Sequence, residues 1–158
     1  MKISLKKGLS YGVTSGVITT LGLIIGLYFS ESGRDIILAG ILTIAFADAL
    51  SDGLGIHISE EAENKHSKKE IWESTLSTVV TKMIFALSFI IPILLFSMGI
   101  AIIINLIWGA ALLIALSYYV ARNNKENVLS VLAEHVGIAI IVIAGSFAIG
   151  GLINLFFN

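Results

Sequence analysis

The chain has 158 residues, of which 56% are hydrophobic and only 13% are charged, and its mean hydropathy is +0.95. A soluble domain carries about 25% charged residues, so this composition predicts an integral membrane protein. The net charge of −1 gives no basic surface for nucleic acid, and the lack of cysteine excludes disulfides, thiolate metal sites and thiol catalysis.

Five segments are long and apolar enough to cross a bilayer, which requires about 20 mostly apolar residues. They cover residues 9–29, 36–58, 76–96, 100–120 and 128–157, and are called spans one to five. Only Ser97, Met98 and Gly99 separate span three from span four, so these two form an antiparallel hairpin. We expect one all-α, multi-pass transmembrane domain over residues 1–158, in the cell membrane if the organism is a prokaryote.

The basic residues that flank the spans predict the orientation of the chain. Three flanking segments on one side are basic, whereas the other side carries only Arg34. By the positive-inside rule, the N-terminus is cytoplasmic and the C-terminus is external. The basic residues on the cytoplasmic side are Lys2, Lys6, Lys7, Lys65, Lys68, Lys69, Arg122 and Lys125.

Span two carries Asp48 and Asp52, which at helical spacing share one face, one turn apart. A charged side chain in the middle of a span costs roughly 2.5–3.5 kcal/mol, so both should face the bundle interior or a water-filled cavity. Such a carboxylate pair predicts a site for a cation or a proton. The alternative is a structural ion pair with Lys82 that anchors spans two and three. Both roles can coexist, because an arriving cation could displace the lysine.

Other polar residues are predicted at the depth of this pair. Thr14 and Ser15 lie in the cytoplasmic half of span one. If the helix of span three begins near Glu73, Lys82 lies roughly 13 Å along it. The aspartates and these two hydroxyls supply oxygen ligands, which suit Mn²⁺, Fe²⁺ or Mg²⁺ better than a soft ion.

Acidic and histidine side chains follow where span two leaves the membrane. His57 and Glu60 are three residues apart on a helix and could share an ion, and Glu63 returns towards the face of Asp52. This pattern predicts a cytosolic mouth that attracts cations. The alternative is a solvated helix end whose acids are balanced by Lys65, Lys68 and Lys69.

Span five begins with Glu134 and His135 near the cytoplasmic side. A carboxylate or an imidazole at a membrane boundary can titrate during transport, so both are candidate groups for proton coupling. For Glu134 the alternative is a charge that only complements the helix dipole.

Span one carries a glycine stripe, Gly8, Gly12 and Gly16, which allows another helix to approach closely. Five short helices enclose little room for a path within one copy. We therefore interpret the chain as a homodimer with span one near the shared axis. The alternative is that the stripe serves packing alone.

Spans one and two resemble the vacuolar iron transporter family. Residues 11–20, YGVTSGVITT, are similar to the family's first-span pattern F-G-x-x-D-G-L-V-T-T. Residues 38–59 are similar to its second-span pattern A-G-x(n)-I-S-M-x-x-G-E-Y-L-S. The resemblance implies five spans in the orientation given above, a homodimer, and movement of metal ions out of the cytoplasm.

The chain differs from the family at three positions. The family's first-span aspartate is Ser15 here, its second-span methionine is Asp52, and its glutamate in that motif is Ile56. The family's long acidic cytosolic insertion is also missing, since only residues 60–73 join spans two and three. The resemblance implies ion contact at Ser15 and Asp52, and the exchange of a thioether for a carboxylate favours harder cations.

These observations predict a transporter that moves a divalent cation such as Fe²⁺ or Mn²⁺ out of the cytoplasm by proton exchange, without a tightly bound cofactor. The alternative is a non-transporting membrane scaffold whose contacts between aspartate and lysine only specify helix packing. An intramembrane enzyme is disfavoured, because the chain has no plausible nucleophile–base set and no HExxH spacing.

Overall fold

The computed structural model describes residues 2–157, which form helices joined by short turns. Within this range there is no strand, and five helices are long and apolar enough to cross a membrane. The prediction of an all-α chain with five spans is therefore confirmed, and it indicates a multi-pass membrane protein. The elements are α1 (Ile3–Phe29), α2 (Arg34–Thr43), a π-helical turn (Ile44–Asp48), α3 (Ala49–Glu63), α4 (Lys68–Ser88), α5 (Ile90–Leu95), α6 (Met98–Asn124) and α7 (Val128–Phe157).

Spans one to four extend beyond the predicted apolar segments at the end of the bundle where most lysines lie. Ser67 begins α4 with a capping box, in which its hydroxyl accepts from the Glu70 N–H while the Glu70 carboxylate accepts from the Ser67 N–H. Lys2 and Ser4 both bind the Glu73 carboxylate, at 2.6 and 2.9 Å, and tie α1 to α4. These polar turns continue the helices past the apolar residues.

The first span lies at the centre of the bundle and packs against all four other spans. The glycine stripe faces α4: a methyl group on Gly12 would lie 2.7 Å from the Thr78 carbonyl oxygen, and one on Gly16 would lie 3.2 Å from that of Lys82. Gly8 approaches α4 in the same way. The interpretation that the stripe joins two copies is therefore wrong, because α4 of the same chain already fills the groove.

The third span is interrupted between α4 and α5. Pro92 has no N–H to donate to the Ser88 carbonyl, and its ring clashes with that group in a regular helix. Two side chains of α6 bind at the break: Asn105 Nδ2 donates to the Phe89 carbonyl at 3.2 Å, and Trp108 Nε1 donates to the Ser88 hydroxyl at 2.9 Å. These bonds hold span four against span three near its interruption.

Candidate functional site

A buried lysine lies between the two intramembrane aspartates. The Lys82 side chain is fully buried, and its Nζ lies 2.5 Å from Oδ2 of Asp48 and 2.5 Å from Oδ2 of Asp52. The Ser15 hydroxyl donates to Oδ2 of Asp52 at 2.6 Å and accepts from the lysine Nζ at 2.9 Å. We call these four residues the charged cluster. It contains the ion pair between spans two and three that was the predicted alternative to a cation or proton site.

The local structure of span two explains why both aspartates reach the lysine. Asp48 ends the π-helical turn and Asp52 lies one turn later in α3, so both face α4, as their spacing predicted. Gly16 and Gly53 lie beside the cluster, and a side chain on either would press against α4. These glycines let α1 and α3 approach Lys82 closely enough for short contacts.

The charged cluster is closed around the lysine and more open at the aspartates. The side chains of Asp52 and Asp48 are 18% and 40% exposed, whereas that of Lys82 is 0% exposed. Exposed apolar side chains of span two, Phe46 and Leu50, flank Asp48 in the sequence. With both carboxylates ionised and the lysine protonated, the cluster carries a net charge of −1.

A second ionic cluster lies where span two ends. Glu60 is almost fully buried, with Oε1 2.6 Å from Lys7 Nζ and Oε2 3.2 Å from His66 Nε2. Glu63 approaches the same two partners at 3.6 and 3.7 Å. Lys7 was missed as a partner because the apolar segment of span one was taken to begin two residues later. The lysines expected to balance these acids form no ion pair within residues 2–157: Lys65, Lys68 and Lys69.

His57 belongs to a different group of side chains from Glu60. Its Nδ1 lies 3.1 Å from the Thr75 hydroxyl, and its ring packs edge-on against Trp72 with centroids 4.8 Å apart. Its Nε2 lies 3.6 Å from a carboxylate oxygen of Glu61. Among the side chains that the structure describes, no group of three or more histidines and acids could hold a metal ion.

Three further predicted site residues lie outside the charged cluster. Thr14 donates to a carbonyl of its own helix at 2.9 Å. His135 Nδ1 lies 2.8 Å from the Ser117 hydroxyl, which donates to a carbonyl of α6, so the histidine is the donor in this pair. Glu134 is exposed and forms no hydrogen bond or ion pair through its side chain in the described part of the chain.

Comparison with known proteins assigns no family to this chain. No protein-family model matches it, and no curated protein sequence is significantly similar to it. The likeness to the vacuolar iron transporter family therefore depends on the motifs in residues 11–20 and 38–59.

Proposed function

We propose that this protein is a membrane transporter that exchanges a divalent cation for protons at the charged cluster. The observation that carries the proposal is the fully buried Lys82, whose ammonium is surrounded by oxygens of Asp48, Asp52 and Ser15. Ionisable groups inside a membrane are costly, and they characteristically mark paths for ions and protons. The motif resemblance supports the same class of function.

The ligand geometry supports competition between the lysine and a cation. The three oxygens that now surround Nζ would surround a cation instead if the ammonium moved aside or released its proton. These hard carboxylate and hydroxyl oxygens suit Mn²⁺ or Fe²⁺ as the transported substrate. Lys82 would then hold the site while no substrate is bound and carry a proton in the opposite direction.

The charge of the cluster favours a divalent substrate. If a divalent cation binds while Lys82 Nζ loses a proton, the two carboxylates are neutralised completely. A monovalent cation bound in the same exchange would leave a net charge of −1 inside the protein. Buried charge without a countercharge is unfavourable, so neutralisation supports a divalent ion.

Helices α1 and α3 each carry residues of both the second ionic cluster and the charged cluster, which favours an ion route between the two. Glu60 lies eight residues after Asp52 in α3, and Lys7 lies eight residues before Ser15 in α1, so each pair is about 12 Å apart along its helix. Tyr11 lies midway between Lys7 and Ser15 on the same face of α1. By the positive-inside rule we expect this end to be cytoplasmic, which supports transport out of the cytoplasm.

A homodimer would cover the open side of Asp48. A charged side chain in contact with lipid costs roughly 2.5–3.5 kcal/mol, and this carboxylate is 40% exposed. A second copy packed against span two would remove that cost and bring the charged clusters of both copies to one axis. We therefore propose span two, and not span one, as the contact between copies.

Transport assays in proteoliposomes test the proposal. We expect uptake of Mn²⁺ or Fe²⁺ to be coupled to a change in lumenal pH, and Asp52→Asn to lower uptake at least about tenfold. A hydrogen bond to a charged group is worth about 1.5–3 kcal/mol, and its loss corresponds to a factor of about ten or more. Asp35→Asn is the matched control, because Asp35 is exposed near the start of α2, and it should transport like the wild type.

The scaffold alternative is favoured by one observation, that the Lys82 ammonium makes three short contacts to oxygens of the protein itself. Buried ion pairs can fix how helices pack. A wild-type protein that takes up no divalent cation from a panel of ions would overturn the transport proposal and leave this alternative. An Asp52→Asn variant with normal uptake would instead overturn the assignment of the charged cluster as the transport site.

A further inference from the structure

We propose that an anionic phospholipid binds along the groove between α1, α4 and α6, with its headgroup at the lysine-rich end of the bundle. The groove shares no residue with the charged cluster, although Lys7 lines it and also belongs to the second ionic cluster. The proposal therefore does not rest on ion transport at the charged cluster.

The inner part of this groove suits an acyl chain. The fourth span meets the third at Ser88 and Trp108, and beyond this contact an apolar trough of about 400 Å³ lies between them, with α1 as its floor. Hydrocarbon placed there leaves no polar group without a partner. The trough is lined mainly by Leu9, Val13, Phe85, Leu112, Ala115 and Leu116.

The outer part of the groove suits a phosphate group. It is a cavity of about 420 Å³ that shares the lining residue Tyr119 with the trough, and no acidic residue within residues 2–157 lines it. Lys7 is paired with Glu60, but the Lys6 ammonium has no carboxylate partner within residues 2–157. A lysine with neighbouring amide and hydroxyl groups is complementary to an anionic headgroup. The polar lining residues are Lys6, Lys7, Ser10, Tyr119, Asn123 and Asn124.

The length of the groove favours a lipid over other occupants. Leu112 and Asn123 are eleven residues apart on α6, or about 16 Å, which is about half of the roughly 30 Å hydrocarbon core. One chain of one leaflet therefore reaches from the headgroup cavity to the end of the trough. A soluble anion would not occupy the apolar trough. An apolar helix of a second copy would fill the trough but leave Lys6 without a countercharge.

Native mass spectrometry of the full chain in detergent tests this site. With phosphatidylglycerol and phosphatidylcholine of identical acyl chains, we expect phosphatidylglycerol to bind at least about fivefold more tightly. Lys6→Gln should remove that preference, whereas Lys69→Gln, which changes an exposed lysine outside the groove, should keep it. Ala115→Leu fills the trough and should weaken both lipids, whereas Ala110→Leu, at an exposed position outside it, should not.

Several results would overturn the proposal. One is equal binding of the two lipids, and another is an unchanged preference in Lys6→Gln. If glycerol phosphate displaced phosphatidylglycerol at equal concentration, the site would bind only the anion. If Ala115→Leu changed the ratio of monomer to dimer but kept lipid binding, a second copy of the chain would be the occupant.

Discussion

Replacing Lys82 by methionine removes the positive charge from the centre of the charged cluster. Methionine keeps an unbranched apolar side chain but cannot bind the carboxylates. Asp48 and Asp52 would then lie on one helix face, one turn apart, without the ammonium that now contacts both at 2.5 Å. We expect the variant to fold less stably.

The size of the stability loss follows from the exposure of the two aspartates. Removing one partner of a buried ion pair costs about 3–5 kcal/mol, because the remaining charge stays buried. The Asp48 side chain is 40% exposed and can be hydrated, whereas that of Asp52 is 18% exposed. We therefore expect the lower end of the range, about 3 kcal/mol. For a chain of this length that corresponds to a decrease in Tm of about 6–12 °C.

Thermal unfolding in detergent measures this loss, and a triple variant supplies the control. Adding Asp48→Asn and Asp52→Asn to Lys82→Met removes the unpaired charges, so the triple variant should regain most of the lost stability.

Two results would refute this reasoning about the lysine. The first is a Lys82→Met protein that melts within about 1 °C of the wild type. The second is a triple variant no more stable than the single one, which would mean that the loss came from side-chain packing and not from unpaired charge.

Two further predictions concern helix contacts. Gly12→Ala should destabilise the protein by about 1–3 kcal/mol, because the added methyl group would lie 2.7 Å from the Thr78 carbonyl oxygen. Gly137→Ala is the control, since a methyl group there meets open space. Equal melting temperatures of the two variants would contradict the close packing of α1 on α4. Ser51 is exposed on span two, so Ser51→Cys should form a disulfide between two copies on oxidation, whereas Ile141→Cys on span five should not. The chain has no cysteine of its own, so any cross-link must come from the introduced residue. The reverse pattern would place the dimer contact at span five.

The five spans could be predicted because each depends on a local run of apolar residues. The helix ends could not, since they depend on polar contacts that hydropathy does not measure, such as the capping box at Ser67 and the ion pair between Lys2 and Glu73. The ion pair of Lys7 was missed for the same reason, because Lys7 lies in the first turns of α1 and outside the apolar segment.

The composition of the charged cluster was partly visible in the sequence, but the packing around it was not. The four-residue spacing placed both aspartates on one face, and Lys82 was the available countercharge. The glycine stripe predicted a close approach but not its partner. A signal was present, because Ser74, Thr78 and Lys82 repeat on α4 with the same four-residue spacing as the stripe. Matching the two repeats would have paired spans one and three.

The π-helical turn is the feature of the site that the sequence analysis missed. Residues of a regular α-helix advance 100° each, so positions four apart drift by about 40° per step. The wider π-helical turn offsets this drift, so the buried face of α2 before the turn is aligned with the buried face of α3 after it. If α2 kept its position and the span continued as a regular α-helix, Asp52 would be rotated by about 100° about the helix axis, away from Lys82. Turns of this kind are frequent at functional sites, and here the turn ends at a residue that contacts the lysine. The repeat that could have revealed it is the set of buried residues Ile37, Ile41, Ala45, Ala49 and Gly53.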